Sequence, residues 1–178
     1  MINGLKKPSN ESSSFTADSS FVPTIAYIGV GSNLGNRKQT IERAKALLLK
    51  TPGVRFLREA PLYETKPVGG PEGQGMYFNT VWEIETTLSA QSLLKSLLAI
   101  ETSLGRKRSG ANSPRTIDLD LLFWGDEILN QSGLSVPHPR LHERWFVLKP
   151  LWDLRADFVH PVLKKSICEL LDQVHENC

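Results

Sequence analysis

The sequence predicts an α+β domain of the ferredoxin-like type, a βαββαβ sandwich with C-terminal additions. Three observations support this fold class. Segments with the two-residue alternation of strands take turns with segments that have the apolar spacing of helices. Their order is strand, helix, strand, strand, helix, strand, which is the split βαβ pattern. No internal repeat and no linker interrupts the 178 residues, so a single domain is expected over 24–178.

The first strand and the first helix are separated by a turn. The strand "TIAYIGV" begins at Thr24 and is apolar and β-prone, and "GSNLGN" then breaks the pattern. Asn36 is placed to cap a helix, and Gln39 takes the capping-box position three residues later. The apolar stripe of this helix consists of Ile41, Ala44, Leu47 and Leu48.

Two strands follow the first helix. "VRFLREAPLYE", over 54–64, is predicted as one strand, and Pro61 favours an edge position for it. A loop rich in Gly and Pro, "TKPVGGPEGQG", leads to the third strand, "MYFNTVWEIET". One face of this strand carries Phe78, Thr80, Trp82 and Ile84, and the other carries Tyr77, Asn79 and Val81.

The second helix and the fourth strand complete the pattern. The helix is predicted from about Ala90 to Leu104, and Gly105 suits the position after its end. The strand is "RTIDLDLLFW", in which strict alternation gives two faces. One face carries Ile117, Leu119, Leu121 and Phe123, and the other carries Asp118, Asp120, Leu122 and Trp124.

Further elements are predicted at the C-terminal end. "EILN" is expected to add a short strand, and "HERWFVLKPLWDL" and "LKKSICELLDQV" have helical spacing. Because proline cannot donate a backbone hydrogen bond, Pro150 is expected to break the first of these helices after Lys149. Cys168 falls in the apolar pattern of the second helix and is expected in the core.

Composition excludes several classes of protein. The net charge of +2 is too small to indicate a polyanion-binding protein, and no apolar run is long enough to span a membrane. Two cysteines give neither a disulfide framework nor a zinc site. Residues 1–23 lack the apolar stretch of a signal peptide and are predicted to form a disordered tail. We therefore expect a cytoplasmic monomer with no nucleic-acid or membrane partner.

Asp118 and Asp120 are the strongest candidates for chemistry. They share one face of a strand that is otherwise apolar, where carboxylates are costly to desolvate. Same-face neighbours are about 6.5–7 Å apart at Cα. Two such carboxylates can hold one or two divalent cations, and Mg²⁺ suits them because it also binds substrate phosphates. A solvated strand face that carries acids for solubility is the alternative.

Basic residues lie directly before these acids. Arg106, Lys107, Arg108 and Arg115 flank the loop "GRKRSGANSPR". Such a run is often a solvated loop, but beside two carboxylates it can bind phosphate oxygens. Glu101 lies on the apolar stripe of the second helix, so its carboxylate needs a partner. A structural Glu–Arg pair and a catalytic role both explain it.

The remaining candidates are a histidine and a glycine. His138 is held between two prolines, either as a structural histidine or as a donor to phosphate or ribose. "GVGSNLG" is not a dinucleotide fingerprint, because Gly35 falls one residue late and no repeated βαβ unit follows. Gly31 is instead expected to permit a tight turn or the close approach of a flat ligand. No Walker loop is present in the sequence.

Several stretches together resemble the 6-hydroxymethyl-7,8-dihydropterin pyrophosphokinase family. They are "AYIGVGSNLGNR", "YETKPVGG", "YFNTV", "PRTIDLDLLFWG" and "VPHPRLHERWFVLKPL", and they extend from Ala26 to Asp153 in the order of the family. The resemblance implies transfer of diphosphate from the co-substrate ATP to the hydroxymethyl group of the pterin. AMP would be released, in folate biosynthesis, by a protein of ferredoxin-like fold.

The resemblance also implies roles for individual residues. Asp118 and Asp120 would ligate two Mg²⁺ ions that bridge the ATP phosphates. Arginines implied in catalysis are Arg106, Arg108 and Arg115. Positions implied at ATP are Leu94, Glu101, Arg115, His138 and Arg144. Positions implied at the pterin are Gly31, Thr65, Lys66, Val68, Tyr77, Asn79 and Phe146.

The chain departs from the family at one place. Members usually have Arg-Trp-Gly where this sequence has Ala111, Asn112 and Ser113. The family's tryptophan helps to close the loop over the substrates, so weaker pterin affinity or slower closure is expected here. The metal-binding acids are unaffected by the change.

Two other functions fit part of the pattern. One is a nucleotidyl transferase with a palm-like domain, and the other is a ferredoxin-like RNA-binding module. The neighbouring Tyr77 and Asn79, and the lack of a large basic surface, argue against the first. Two carboxylates on the sheet argue against the second, because they would repel RNA phosphates.

Overall fold

The computed structural model describes residues 22–106 and 113–176, and its elements follow the predicted order. The strands are β1 (Thr24–Ser32), β2 (Val54–Glu59), β3 (Tyr63–Thr65), β4 (Tyr77–Thr86), β5 (Asp118–Trp124), β6 (Leu129–Gln131) and β7 (Leu134–Val136). The helices are α1 (Arg37–Leu48), α2 (Ala90–Ser103), α3 (Trp145–Arg155) and α4 (Ile167–Glu176), with a 3₁₀ turn at Leu141–Glu143. Most of the predicted tail, residues 1–21, lies outside the described residues.

Strands β1 to β5 form one antiparallel sheet in the order β2-β4-β1-β5, and β3 also pairs with β4. The α+β class is therefore confirmed. Strand β1 is interior, with β4 on one side and β5 on the other. Strands β6 and β7 form a separate hairpin. Among the described helices, none is long and apolar enough to cross a membrane.

Helices cover both faces of the sheet. One face packs against α1 and α2 through a cluster that includes Ile28, Ile41, Trp82, Leu97 and Leu119. The other face packs against α3 and α4 through a second cluster that includes Tyr27, Val81, Phe123, Leu148 and Leu170. The C-terminal additions thus form a third layer, so the fold is more than a two-layer sandwich.

The faces of β5 change partway along the strand. Ile28 of β1 pairs with Leu121, but Tyr27 pairs with Phe123, so Leu122 has no partner in β1. This β-bulge places Phe123 in the cluster with α3 and α4, and turns Trp124 toward α1 and α2. The prediction from strict alternation was wrong for these last two residues, because one extra residue reverses every face that follows it.

The segment predicted as a single second strand is two strands. β2 ends at Glu59 and β3 begins at Tyr63, and Pro61 lies between them. Both strands pair with β4, and the backbone N–H of Ala60 donates to the carbonyl of Val81 at 3.0 Å. The break at a proline agrees with its missing backbone donor.

The caps of the first two helices agree with their sequences. The Asn36 side chain accepts a hydrogen bond from the Gln39 backbone N–H at 3.2 Å, as predicted. Helix α2 begins after Ser89, whose hydroxyl accepts from the Ser92 N–H. Gly105, just past its end, has a φ of +79°, which glycine adopts without strain.

Two predictions for the C-terminal helices were wrong. Pro150 lies inside α3 and does not break it, since that helix buries Val147, Leu148, Pro150 and Leu151. Burial of this face offsets the one backbone hydrogen bond that the proline cannot make. Cys168 is exposed and free, because α4 turns Ile167, Leu170 and Leu171 to the core instead.

Candidate active site

A cleft of about 220 Å³ opens on the sheet face that α3 and α4 only partly cover. Its floor is formed by β1, β4 and β5, and its walls by the loop after β3 and the segment around the start of α3. The lining includes all seven residues predicted at the pterin: Gly31, Thr65, Lys66, Val68, Tyr77, Asn79 and Phe146. It also includes Arg115, Asp118, Asp120 and Arg144.

Glycines of β1 keep the floor of the cleft flat. Gly31 pairs with Asn79 on one side and with Asp118 on the other. A Cβ at Gly31 would lie 3.1 Å from the Asn79 Oδ1 and 3.9 Å from the Asp118 Cβ. No side chain therefore stands between the amide and the carboxylate, and a planar group could approach the backbone there.

The end of the cleft near Asn79 combines polar and aromatic side chains. Asn79 is buried, and its Nδ2 donates to the Thr65 hydroxyl at 2.8 Å. Tyr77 and Phe146 provide aromatic surface, and Val68 is 70% exposed on the loop above. A fixed amide beside aromatic rings is the arrangement that binds a flat heterocycle with a hydrogen-bonding edge.

The other end of the cleft carries charge. Asp118 has an arginine on each carboxylate oxygen: Arg115 Nη1 lies 2.6 Å from Oδ2, and Arg106 Nη1 lies 2.7 Å from Oδ1. These three residues come from β5 and from the two ends of the loop that precedes it. The predicted proximity of the arginines and the acid is thus observed for Arg106 and Arg115. Arg108 lies outside the described residues, as do Lys107, Ala111 and Asn112.

Asp120 differs from Asp118 in its partners. Burial, and then the negative charge of Asp118, raise the pKa of Asp120 to about 6. The described residues form no ion pair with it, and the positive charge that most opposes this rise in pKa is that of Arg144. Two adjacent carboxylates, one of them without an ion pair among the described residues, are chemically suited to a divalent cation.

The donor set fits Mg²⁺ rather than a metal that needs a full protein cage. Within 22–106 and 113–176, no group of three or more His, Cys, Asp or Glu side chains converges on one point. Two carboxylates would leave the remaining coordination positions to substrate oxygens and water, which is the usual mode of Mg²⁺ binding. Asp118 and Asp120 fit that requirement.

Glu101 lies outside the cleft and pairs with Arg106. Its carboxylate also accepts a hydrogen bond from the Leu119 backbone N–H at 2.7 Å. Leu119 is in β5, at the edge of the sheet, so Glu101 satisfies a donor that no strand pairs with. Burial raises the pKa of Glu101, and the Leu119 N–H and Arg106 oppose that shift. These contacts suit the structural Glu–Arg pair, and a role for Glu101 at the nucleotide stays a prediction.

His138 and Arg144 lie near one another at the entrance to α3. The His138 Nδ1 accepts from the Arg140 backbone N–H at 3.3 Å, so Nε2 carries the proton and can act as a donor. Burial, and then Arg144, lower the pKa of His138 to about 4, which keeps the imidazole neutral at pH 7. Arg144 forms no ion pair among the described residues and stands 5.7 Å from the Phe146 ring centroid.

Some predicted positions lie away from the cleft, and some lining residues were missed. Leu94, Glu101, Arg106 and His138 do not line it, and Leu94 packs against the core with α1 and α2. Lining residues that sequence reasoning did not single out include Gly29, Leu122, Arg140 and Glu143. The two-residue alternation with Gly31 could have indicated Gly29. The same alternation places Leu122 on the face of Asp118 and Asp120, whereas no local pattern marks Glu143.

Comparison with known proteins agrees with this geometry. The family model for 7,8-dihydro-6-hydroxymethylpterin-pyrophosphokinase (HPPK) matches residues 27–156, a range that contains the whole cleft. The chain belongs to the HPPK family. The resemblance noted in the sequence is confirmed.

Relatives of this HPPK-family chain include proteins of similar length and much longer ones. The 2-amino-4-hydroxy-6-hydroxymethyldihydropteridine pyrophosphokinase of Bacillus subtilis is 43% identical over 149 residues, which cover 84% of this chain and 86% of that protein. The folic acid synthesis protein fol1 of Pneumocystis carinii is 42% identical over 83% of this chain. The chain spans about a fifth of the length of that relative, 20%.

A solved structure supports the fold. The wild-type HPPK-DHPS of Plasmodium falciparum, crystallised with pterin and p-hydroxybenzoate, superposes with a TM-score of 0.70. The match covers 90% of this chain and 44% of that one, at 16% sequence identity. At that identity the likeness extends to the arrangement of strands and helices alone.

Proposed function

We propose that this chain transfers diphosphate from ATP to 6-hydroxymethyl-7,8-dihydropterin, giving AMP and the pterin diphosphate in folate biosynthesis. The observation that carries the proposal is a cleft that has a flat, amide-lined pocket at one end and a carboxylate–arginine cluster at the other. Membership of the HPPK family supports it independently. The chain would act as a cytoplasmic monomer on these small molecules.

The sheet belongs to the ferredoxin-like class in this proposal. The order β2-β4-β1-β5, with antiparallel neighbours, is that of a split βαβ unit in which β3 is an added short strand. Helices α1 and α2 are the two crossover helices and share one face of the sheet. This arrangement leaves the opposite face open for the cleft.

The pterin would bind over Gly31. The Asn79 amide, oriented by Thr65, would pair with the edge of the pterin ring, and Tyr77 and Phe146 would contact its flat surface. Lys66 and Val68 would close over it from the loop after β3. The hydroxymethyl group would then point along the floor toward Asp118 and Asp120, where the triphosphate lies.

Asp118 and Asp120 would hold two Mg²⁺ ions. When bound, these ions supply charge neutralisation for the ATP phosphates. Asp118 already has both oxygens on arginines, so metal binding would release Arg106 and Arg115 toward phosphate oxygens. The two arginines would thus stay at the phosphate end of the site and change their partner from the Asp118 carboxylate to a phosphate.

The reaction would proceed by in-line attack on the β-phosphorus. The pterin hydroxyl oxygen forms the new P–O bond, its proton leaves to water, and the bond from the β-phosphorus to the α–β bridging oxygen breaks to release AMP. Arg115 would neutralise the departing AMP, and the His138 Nε2–H would donate a hydrogen bond to it. Arg106 and Arg108 would neutralise the outer diphosphate oxygens. Arg144, Glu101 and Leu94 would support the nucleotide. Positioning and charge neutralisation supply the rate enhancement.

Product analysis tests the proposal. The full chain is incubated with ATP, Mg²⁺ and 6-hydroxymethyl-7,8-dihydropterin, and the products are identified by mass. Equal amounts of AMP and pterin diphosphate are expected. ADP together with a pterin monophosphate would contradict it, because attack would then occur at the γ-phosphorus.

A further inference from the structure

We propose that Asn33 is a positioning residue that links the β3–β4 loop (66–76) to Arg115, so that binding at the nucleotide end orders the pterin end. The inference rests on the proposed function and deepens it. Asn33 follows the last residue of β1 and does not line the cleft. It is nevertheless 6% exposed, so its polar side chain is enclosed by the groups that it bonds.

The bonds to the Arg115 side come from two consecutive residues. The Asn33 Oδ1 accepts from the Arg115 backbone N–H at 2.8 Å, and the Asn33 N–H donates to the Arg115 carbonyl at 3.2 Å. The buried Ser32 hydroxyl donates to the Thr116 carbonyl at 2.6 Å. Three hydrogen bonds therefore fix the backbone from which Arg115 reaches Asp118.

The bonds to the β3–β4 loop use the other end of the same amide. The Asn33 Nδ2 lies 3.3 Å from the Gln74 Oε1 and 3.5 Å from the Gly75 carbonyl oxygen. A Cβ at Gly75 would lie 3.4 Å from the Asn33 carbonyl oxygen, so the loop packs directly on this residue. One planar amide thus contacts both segments, and its two ends cannot move independently.

The loop is also anchored where it leaves the sheet. Arg37, at the start of α1, donates from Nη1 to the Glu64 carboxylate and to the Met76 carbonyl, both at 2.7 Å. Its guanidinium stacks 4.0 Å from the Phe78 ring centroid. With the two ends of the loop held by Arg37, the contact at Asn33 determines how the part between them lies over the cleft.

Geometry explains why Asn33 can transmit order between substrates. The loop supplies Lys66, Val68 and Gly69 to the pterin end of the cleft, whereas Arg115 holds Asp118 at the phosphate end. Binding of a phosphate by the Arg115 side chain would further restrict the motion of its backbone, whose N–H donates to the Asn33 Oδ1. A fixed Arg115 backbone then fixes the amide plane and, through Nδ2, the loop.

The test measures coupling rather than turnover. The Kd of 6-hydroxymethylpterin is measured on the full chain with and without Mg²⁺ and the analogue α,β-methylene-ATP. Hydrogen exchange is followed at the amides of 66–76. In the wild type, the analogue is expected to lower the pterin Kd by roughly fivefold or more and to slow exchange in the loop.

Matched variants separate the two ends of the link. Asn33→Asp keeps an acceptor for the Arg115 N–H but loses the donor to Gln74 and Gly75, and Gln74→Ala removes one loop partner while leaving Asn33 intact. Both variants are expected to bind the ATP analogue with the wild-type Kd. In both, however, the analogue should lower the pterin Kd little or not at all. Glu72→Gln, at an exposed position of the same loop, is the control and should keep the full enhancement.

The outcomes distinguish this inference from the proposed function. A wild type that binds both ligands, with equal enhancement in Asn33→Asp, Gln74→Ala and Glu72→Gln, would overturn the link and leave the function intact. A wild type that binds both ligands without any coupling would do the same. If the wild type binds neither ligand, the proposed function fails first. Thermal unfolding of each variant checks that the fold is retained.

Discussion

The two halves of one sheet face differ in what they bury. At one half, Tyr27 of β1 and Phe123 of β5 pack with Phe158, and the Phe123 and Phe158 ring centroids are 4.8 Å apart. At the other half, the same two strands present Gly29 and Gly31 beside a pair of aspartates, and the face is an open cleft. The strands are continuous, and Leu122 at the bulge lies between the halves.

The closed, aromatic half of this sheet face stabilises the fold, whereas the open half is the one available to ligands. Burial of aromatic surface supplies folding free energy to the closed half. The open half gives up that burial and carries the desolvation cost of Asp120, whose pKa is raised. Substitutions in the closed half should therefore affect folding, and those in the open half should affect ligands.

The largest effect is expected from Phe123→Ala in the closed half. Phe123 is fully buried, and removal of its ring should lower the free energy of unfolding by about 3–5 kcal/mol. Urea unfolding measures this loss. Val159→Ala, at a position that is 51% exposed nearby, is the control and should change stability by only about 0.5 kcal/mol. An equal loss of unfolding free energy in both variants would contradict the claim that burial of the aromatic rings stabilises the closed half.

Next in size is the loss of turnover on changing either aspartate. Asp118→Asn and Asp120→Asn should each lower kcat by about 10²–10³-fold or more, because the charge that holds the cation is lost. Their free energies of unfolding should be unchanged or higher, since mutual repulsion is relieved. Asp126→Asn, an exposed acid after β5, should keep wild-type activity. Unfolded aspartate variants would mean that the pair is structural.

A smaller effect is expected at the floor of the cleft. In Gly31→Ala, the added methyl would lie 3.1 Å from the Asn79 Oδ1 and fill the space assigned to the pterin ring. Pterin affinity should fall by about 1–3 kcal/mol. The affinity for the ATP analogue is the internal comparison and should change little. Unchanged pterin binding, measured by titration calorimetry, would place the ring elsewhere.

The smallest effect is the pH dependence of stability. The folded-state pKa of Asp120 is about 6, above its ordinary 3.8, so its contribution to stability is full below 3.8 and is lost as pH rises through 6. The stability of Asp120→Asn relative to the metal-free wild type should therefore increase between about pH 4 and 6. Urea unfolding at several pH values measures this difference, and a flat difference would contradict it.

His138 provides the opposite sign in an overlapping range. Its folded-state pKa of about 4 is below the ordinary 6.5, so its contribution is full above 6.5 and is lost as pH falls through 4. His138→Gln should consequently gain stability relative to the wild type as the solution is acidified. In the wild type, the pH dependences of stability from Asp120 and His138 partly cancel. Measuring Asp120→Asn and His138→Gln separately resolves the two contributions.

Much of the site could be predicted because its signals are local. A two-residue period places Asp118 and Asp120 on one face of a strand whatever its partners are. Asn36 caps α1 through its own neighbour, Gln39, and the apolar spacing of α1 needs no tertiary contact to be recognised. The family motifs are likewise continuous stretches of chain, so many residues of the cleft, including the seven predicted at the pterin, could be named in advance.

Only the tertiary structure decided the features that depend on pairing and packing. The bulge at Leu122 exists because β1 and β5 pair out of step, and neither strand's own alternation records it. Pro150 stays in α3, and Cys168 faces outward, because the surface that each helix packs against determines which face is buried. No pattern around Asn33 indicates its role, because its partners, Gln74 and Arg115, are 41 and 82 residues away. Sequence patterns report the geometry of a chain segment, whereas register, burial and long-range hydrogen bonds are properties of two segments brought together by the fold.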